Sequence, residues 1–206
     1  MSPIRILQYV LWGLVGIALI GAAVLGFGWY KSEFAGTPSD LSQPVAEIGG
    51  PFSLVDTNGK TVTDKDFEGR PRAMFFGFTY CPDICPTTLF EMSNYLKELG
   101  PAGDELAVVF TSVDPERDTP EQLKLYLSSF DERIVGLTGT LEQLNPMLDA
   151  FRVYRKKVPL DGGDYTMDHT AAVYLLNRKG EFVGTIAFRE DAKTALPKLK
   201  RLVAGS

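Results

Sequence analysis

Two continuous apolar runs, Ala73-Met74-Phe75-Phe76-Gly77-Phe78 and Leu106 to Val113, constrain the fold of this chain more than any other feature. A strand with one wet face alternates apolar and polar residues. A run of strand length that is apolar throughout has to be covered on both sides, which makes each of these a buried central strand. A helix is predicted between them from Pro86, with Leu89, Met92, Leu96 and Leu99 on one face. After the second run, Thr119-Pro120-Glu121-Gln122 has the form of a capping box with proline at the first helical position. Leu123, Tyr126, Leu127 and Phe130 supply the apolar stripe of the helix it opens.

The flanking segments complete the order. Phe52 to Val55 and Lys60 to Thr63 read as a hairpin turned at Asn58-Gly59. Thr140-Leu141-Glu142-Gln143 repeats the capping pattern before a helix reaching about Phe151. Ala171 to Leu176 and Phe182 to Phe188 form a closing hairpin around Asn177-Arg178-Lys179-Gly180, and a last helix covers Ala192 to Leu202. Strand–helix–strand–helix closed by a hairpin and a helix is the thioredoxin-like order, a three-layer α/β domain, here with an added N-terminal hairpin.

Upstream, the chain runs from Tyr9 to Tyr30 without a charge, bracketed by Arg5 and Lys31. As a helix that run is roughly 33 Å long, enough to cross a hydrocarbon core. It is longer than the apolar stretch of a cleaved leader, and no A-x-A site follows it. It is therefore expected to be an uncleaved membrane anchor over residues 1–31, with Trp29-Tyr30 at the outer interface. Ala18, Ala22 and Gly26 form a small-residue ridge on it. Arg5 favours N-terminus in and domain out, on the periplasmic side of an inner membrane or the intermembrane-space side of a mitochondrial one. Residues 32–44 are small and polar and read as a tether. Residues 45–206 are one domain by length. The formal net charge of −5, with scattered acids, argues against nucleic acid as a partner.

Only two cysteines and one histidine are present: Cys81 and Cys85, in Phe78-Thr79-Tyr80-Cys81-Pro82-Asp83-Ile84-Cys85-Pro86, and His169, in Met167-Asp168-His169-Thr170. A disulfide closing so short a loop would contribute only about 2 kcal/mol, and a domain of this size has core enough without it. Two thiolates and an imidazole form a three-coordinate set that suits copper, sulfur being soft and imidazole tolerating both oxidation states. The cysteines fall where a central strand passes into a helix, the end of an open α/β sheet that carries sites. Cys85, just before Pro86, is expected to have its thiolate stabilised by the unpaired amides and dipole of the helix start. His169 is expected just before a strand, near where thioredoxins place a cis-proline. Asp83 is read as a turn cap or a local charge, and Met167 as core or a soft neighbour.

With these stretches in view, the chain resembles the Sco (SenC) family of membrane-tethered copper proteins over roughly residues 45–204. The resemblance rests on Asp66-Phe67-Glu68-Gly69, on Phe76 to Pro86, on Val113-Asp114-Pro115-Glu116-Arg117-Asp118-Thr119-Pro120, on Gly136 to Thr140 and on Asp168-His169-Thr170. It implies a thioredoxin-like fold with an added hairpin and binding of Cu(I) and Cu(II) by Cys81, Cys85 and His169. It also implies delivery of copper to the dinuclear copper site of cytochrome c oxidase subunit II, directly or through copper-delivery partners, or reduction of that site. Tyr80 stands where many members have histidine, so a fourth ligand is left open.

Other readings of the same residues stay open. A thiol–disulfide reductase would use Cys81 and Cys85 as a redox dithiol and dispense with His169. A copper or redox sensor would use all three residues. A peroxidase fits less well, because the related peroxiredoxins place a threonine three residues before the reactive cysteine and here Thr79 is two before Cys81.

Overall fold

The structure is a computed structural model describing residues 12–14, 16–17, 19–27 and 47–205. The chain divides into two units, Met1–Ala46 and Glu47–Ser206. In the first, every described residue between 12 and 27 is helical, and among the described residues no helix is long and apolar enough to cross a membrane. Arg5, Ala18, Trp29, Tyr30, Lys31 and the predicted tether lie outside the described residues.

The second unit is built on a seven-stranded sheet of order β2-β1-β5-β4-β3-β8-β9. Its strands are β1 (Ser53–Asp56), β2 (Thr61–Thr63), β3 (Arg72–Gly77), β4 (Ala107–Ser112), β5 (Ile134–Thr138), β8 (Val173–Leu176) and β9 (Phe182–Ile186). Both expected central strands are central: β3 pairs in parallel with β4, and β4 with β5, while β8 runs antiparallel on the other side of β3. All six residues of β3 and all six of β4 are buried, as the unbroken apolar runs require of strands covered on both faces. The N-terminal hairpin, β1 with β2, joins the sheet through β1 and β5.

The helices are α1 (Ile84–Leu99), α2 (Pro120–Leu127), α3 (Leu141–Ala150) and α4 (Ala192–Ala204). Leu89, Met92, Leu96 and Leu99 of α1 are buried, so the predicted stripe is the packed one. α3 has the complete capping box: Thr140 Oγ accepts from the Gln143 amide, and Gln143 Oε1 accepts from the Thr140 amide. α2 has only half of one. Thr119 Oγ accepts from the Gln122 amide, but the Thr119 amide already donates to the Arg117 carbonyl, so the return bond has no donor left. α2 also stops at Leu127, short of Phe130.

Two features lie outside the sequence reading. β5 has Gly136 at its centre, which weakens a strand signal. The structure needs that glycine, because a Cβ there would come within 2.5 Å of Leu127 Cδ1 on α2. The second is a separate two-stranded sheet, β6 (Arg155–Pro159) paired antiparallel with β7 (Tyr165–His169). Its strands are mostly half-buried or exposed and β6 is Arg-Lys-Lys-Val-Pro, so no apolar alternation marks it. His169 is therefore the last residue of β7, not a residue leading directly into the following strand, which begins at Val173.

Candidate metal centre

β3 ends at Gly77, and the chain turns through Phe78 to Asp83 before α1 begins at Ile84. Cys81 therefore lies on the turn and Cys85 in the first helical turn. Gly77 makes room for this: a Cβ would sit 2.7 Å from Cys85 Sγ and 2.7 Å from Phe110 Cε2. No peptide bond is cis among the described residues, so His169 takes the place beside the dithiol without a cis-proline.

The donor atoms of Cys81, Cys85 and His169 all lie within 4.8 Å of one another, and Cys85 Sγ is 3.6 Å from His169 Nε2. Donors sharing one ion at about 2.0–2.3 Å stand about 3.5–4 Å apart, so the set fits a metal after small adjustments. The imidazole is already oriented. Nδ1 is 2.9 Å from the Thr170 carbonyl oxygen, which can only accept, so Nδ1 carries the proton and Nε2 turns its lone pair to the sulfurs. The rings of Phe78 and Phe75 meet the imidazole edge-on, at 5.6 Å and 6.4 Å.

The two thiols are not equivalent, and their roles differ from the sequence expectation. Cys81 carries the stabilised thiolate. A hydrogen bond from the Cys85 thiol lowers its pKa to about 4 against the opposing effect of burial, with help from the backbone amides of Cys85 and Asp83. The Cys85 amide is 3.3 Å from Cys81 Sγ. Cys85 itself is pushed up, first by donating its proton to Cys81, then by burial and by the Cys81 charge. The helix start stabilises the sulfur that lies in front of it, Cys81, whereas Cys85 is in the first turn with its side chain fully buried.

Asp83 is at the N-cap of α1 but makes no capping bond with its side chain. Its carboxylate receives Thr87 Oγ1 at 3.3 Å and faces Arg189 at 3.4 Å. Met167 is buried in the core. Tyr80 is exposed, under the guanidinium of Arg117.

Two residues that contact the elements of this site went unassigned in the sequence reading, although both sit in the Val113–Pro120 stretch. Asp118, fully buried, accepts from the Thr79 amide, Thr79 Oγ1 and Ser112 Oγ, and so holds the cysteine turn to the end of β4. Burial raises its carboxyl pKa, partly offset by the bonds from Ser112 and Thr79. Arg117 lies against both the cysteine turn and the β6–β7 hairpin. The signal for both was their place at the carboxyl end of a central strand.

A family profile described as SCO1/SenC matches residues 41–204. The chain is 42% identical over 177 residues to "Protein SCO1 homolog, mitochondrial" of Homo sapiens, covering 82% of this chain and 58% of that protein. The chain spans about half the length of the first curated relatives it matches. Among solved structures it is similar to Bradyrhizobium japonicum ScoI with copper bound, at 51% identity and TM-score 0.71, covering 75% of this chain and 99% of the other. It is also similar to yeast Sco1 with copper bound, at 37% identity and TM-score 0.71, covering 78% and 90%.

Proposed function

Because the chain belongs to the SCO1/SenC family, we propose that it is a membrane-anchored metallochaperone. In this reading it holds copper between Cys81, Cys85 and His169 and delivers it to the dinuclear copper site of cytochrome c oxidase subunit II, directly or through that subunit's copper-delivery partners. The observation that carries the reading is the convergence of the chain's only two cysteines and only histidine on one point. The copper-bound relatives support copper as the ion. The uncharged run from Tyr9 to Tyr30 supports the anchor, and Arg5 before it supports a domain on the periplasmic or intermembrane-space side, where copper circulates.

Each ligand has a distinct part. Cys81 offers a ready thiolate and Cys85 yields its proton as the ion arrives, since only deprotonated sulfur ligates well. His169 adds the nitrogen donor that Cu(II) prefers, whereas Cu(I) is satisfied by two sulfurs. A pair of soft ligands with one displaceable nitrogen suits an ion that must be passed on.

A second reading shares the site and has its own support in the asymmetry of the thiols. The Cys81 thiolate attacks a target disulfide and displaces one target thiolate. The neighbouring Cys85, giving up its proton, then attacks the Cys81 sulfur and displaces the second. The target gains two electrons, and the chain is left with a Cys81–Cys85 disulfide.

Copper titration of the full chain tests the metal reading. The reduced chain is expected to take up one copper ion per molecule and the chain oxidised to the disulfide essentially none. Equal uptake by both forms would remove the cysteines from the site.

A further inference from the structure

The β6–β7 hairpin that ends in His169 belongs to a sheet of its own, so strand pairing with the main sheet does not set where the imidazole stands. Contacts with the loop after β4 hold the hairpin instead. Arg155 of β6 donates to the Val113 carbonyl, Tyr165 Oη of β7 donates to Asp114, and Lys157 pairs with Glu116 at 2.7 Å. Arg117 makes the largest share of these contacts. Its Nη1 donates to the Tyr165 carbonyl at 2.9 Å and reaches Asp164 at 3.3 Å, and its Nε is 2.6 Å from Asp114.

The guanidinium also reaches the cysteine turn. It lies 3.7 Å from the centre of the Tyr165 ring on the hairpin and 4.6 Å from that of Tyr80, the residue before Cys81. It is 5.9 Å from the ring of Phe78, which meets the His169 imidazole edge-on. Nη2 is buried without a hydrogen-bond partner, an unfavourable state for a charged donor that the aromatic rings on the same guanidinium offset. Such a planar, delocalised cation can serve three rings and three acceptors at once; an ammonium cannot.

We propose that Arg117 is a positioning residue for the metal centre, clamping the β6–β7 hairpin to the cysteine turn so that His169 Nε2 stands over the two sulfurs. The inference rests on the copper reading of the same site. Arg117 touches neither sulfur nor copper and acts through His169. Its loss should therefore weaken the nitrogen-dependent form of the site and spare the sulfur-only form.

The test uses the full chain, with Cu(II) and Cu(I) as probes. Arg117→Met should weaken Cu(II) binding by about tenfold or more and reduce the nitrogen hyperfine signature of the parent's Cu(II) spectrum, with Cu(I) affinity changed by less than about threefold. In a His169→Ala background, Arg117→Met should change Cu(II) affinity by less than about twofold, since the residue it acts through is gone. In the metal-free chain, the single His169 ring resonance of the parent should broaden or split in Arg117→Met. Tyr165→Leu, which keeps the Arg117–Asp114 pair, should reproduce all three results and serves if Arg117→Met fails to fold. Unchanged Cu(II) affinity with an unchanged ring resonance overturns the proposal, as does an undiminished loss in the His169→Ala background. A parent chain that takes up no copper sinks the metal reading instead, and the ring resonance alone then decides on Arg117.

Discussion

The chemistry of the site turns on a difference between two cysteines four residues apart. With its pKa lowered to about 4, Cys81 is a thiolate throughout the neutral range, whereas Cys85, pushed up by its hydrogen bond to Cys81 and by burial, keeps its proton. Copper uptake should then displace one thiol proton, not two. The sign follows directly: lowering the proton concentration favours the metal-bound form, so affinity rises with pH. Between about pH 7 and 8, apparent Cu(I) affinity should increase about tenfold. Titrations against a competing chelator at fixed pH values check this, and a hundredfold rise would mean that both sulfurs enter as thiols. The cysteines and the histidine were legible as a candidate set from their types and scarcity, and the structure brings their donor atoms together. The direction of the proton asymmetry was not, because it depends on which sulfur faces the helix start and which is fully buried.

At the scale of elements, the site depends on how closely α1 approaches β3. Cys85 packs into the notch that Gly77 leaves. Gly77→Ala should therefore destabilise the domain by about 1–3 kcal/mol, the usual range for overfilling a packed core. Because Cys85 Sγ is the atom displaced, copper affinity should fall as well. Urea denaturation with a parallel copper titration measures both, and parent-like values in each would show that the first turn of α1 shifts freely. The elements that sequence reading found, β3, β4, α1 and α3, carry strong local signals in unbroken apolar runs, a helical stripe or a capping box. Those it missed, β5 and the β6–β7 hairpin, have a glycine explained by the packing of α2 and Thr57 or a strand held by contacts with another loop.

For the whole molecule, copper delivery and dithiol reduction differ in what the histidine is worth. Under the delivery proposal, cells lacking the chain lose oxidase activity, and Cys81→Ser, Cys85→Ser and His169→Ala variants each fail to restore it at low copper. Under the reductase reading the exchange runs through sulfur alone, so His169→Ala restores activity while both serine variants fail. Oxidase assays on complemented cells separate the two.

What the sequence determined by itself was everything encoded in neighbouring residues. Apolar runs of strand length placed the central strands, proline and threonine at fixed offsets placed helix starts, and the spacing of Cys81 and Cys85 put both sulfurs at one helix terminus. Tertiary structure decided what depends on residues far apart along the chain. It brought His169, 84 positions beyond Cys85, to 3.6 Å from that sulfur. It made Cys81 the thiolate, and it placed Arg117 between the turn that holds the cysteines and the hairpin that holds His169. The physical reason is that period and capping act within a few residues. Burial, proton sharing and ring contacts with a cation arise only when distant segments have been packed against each other.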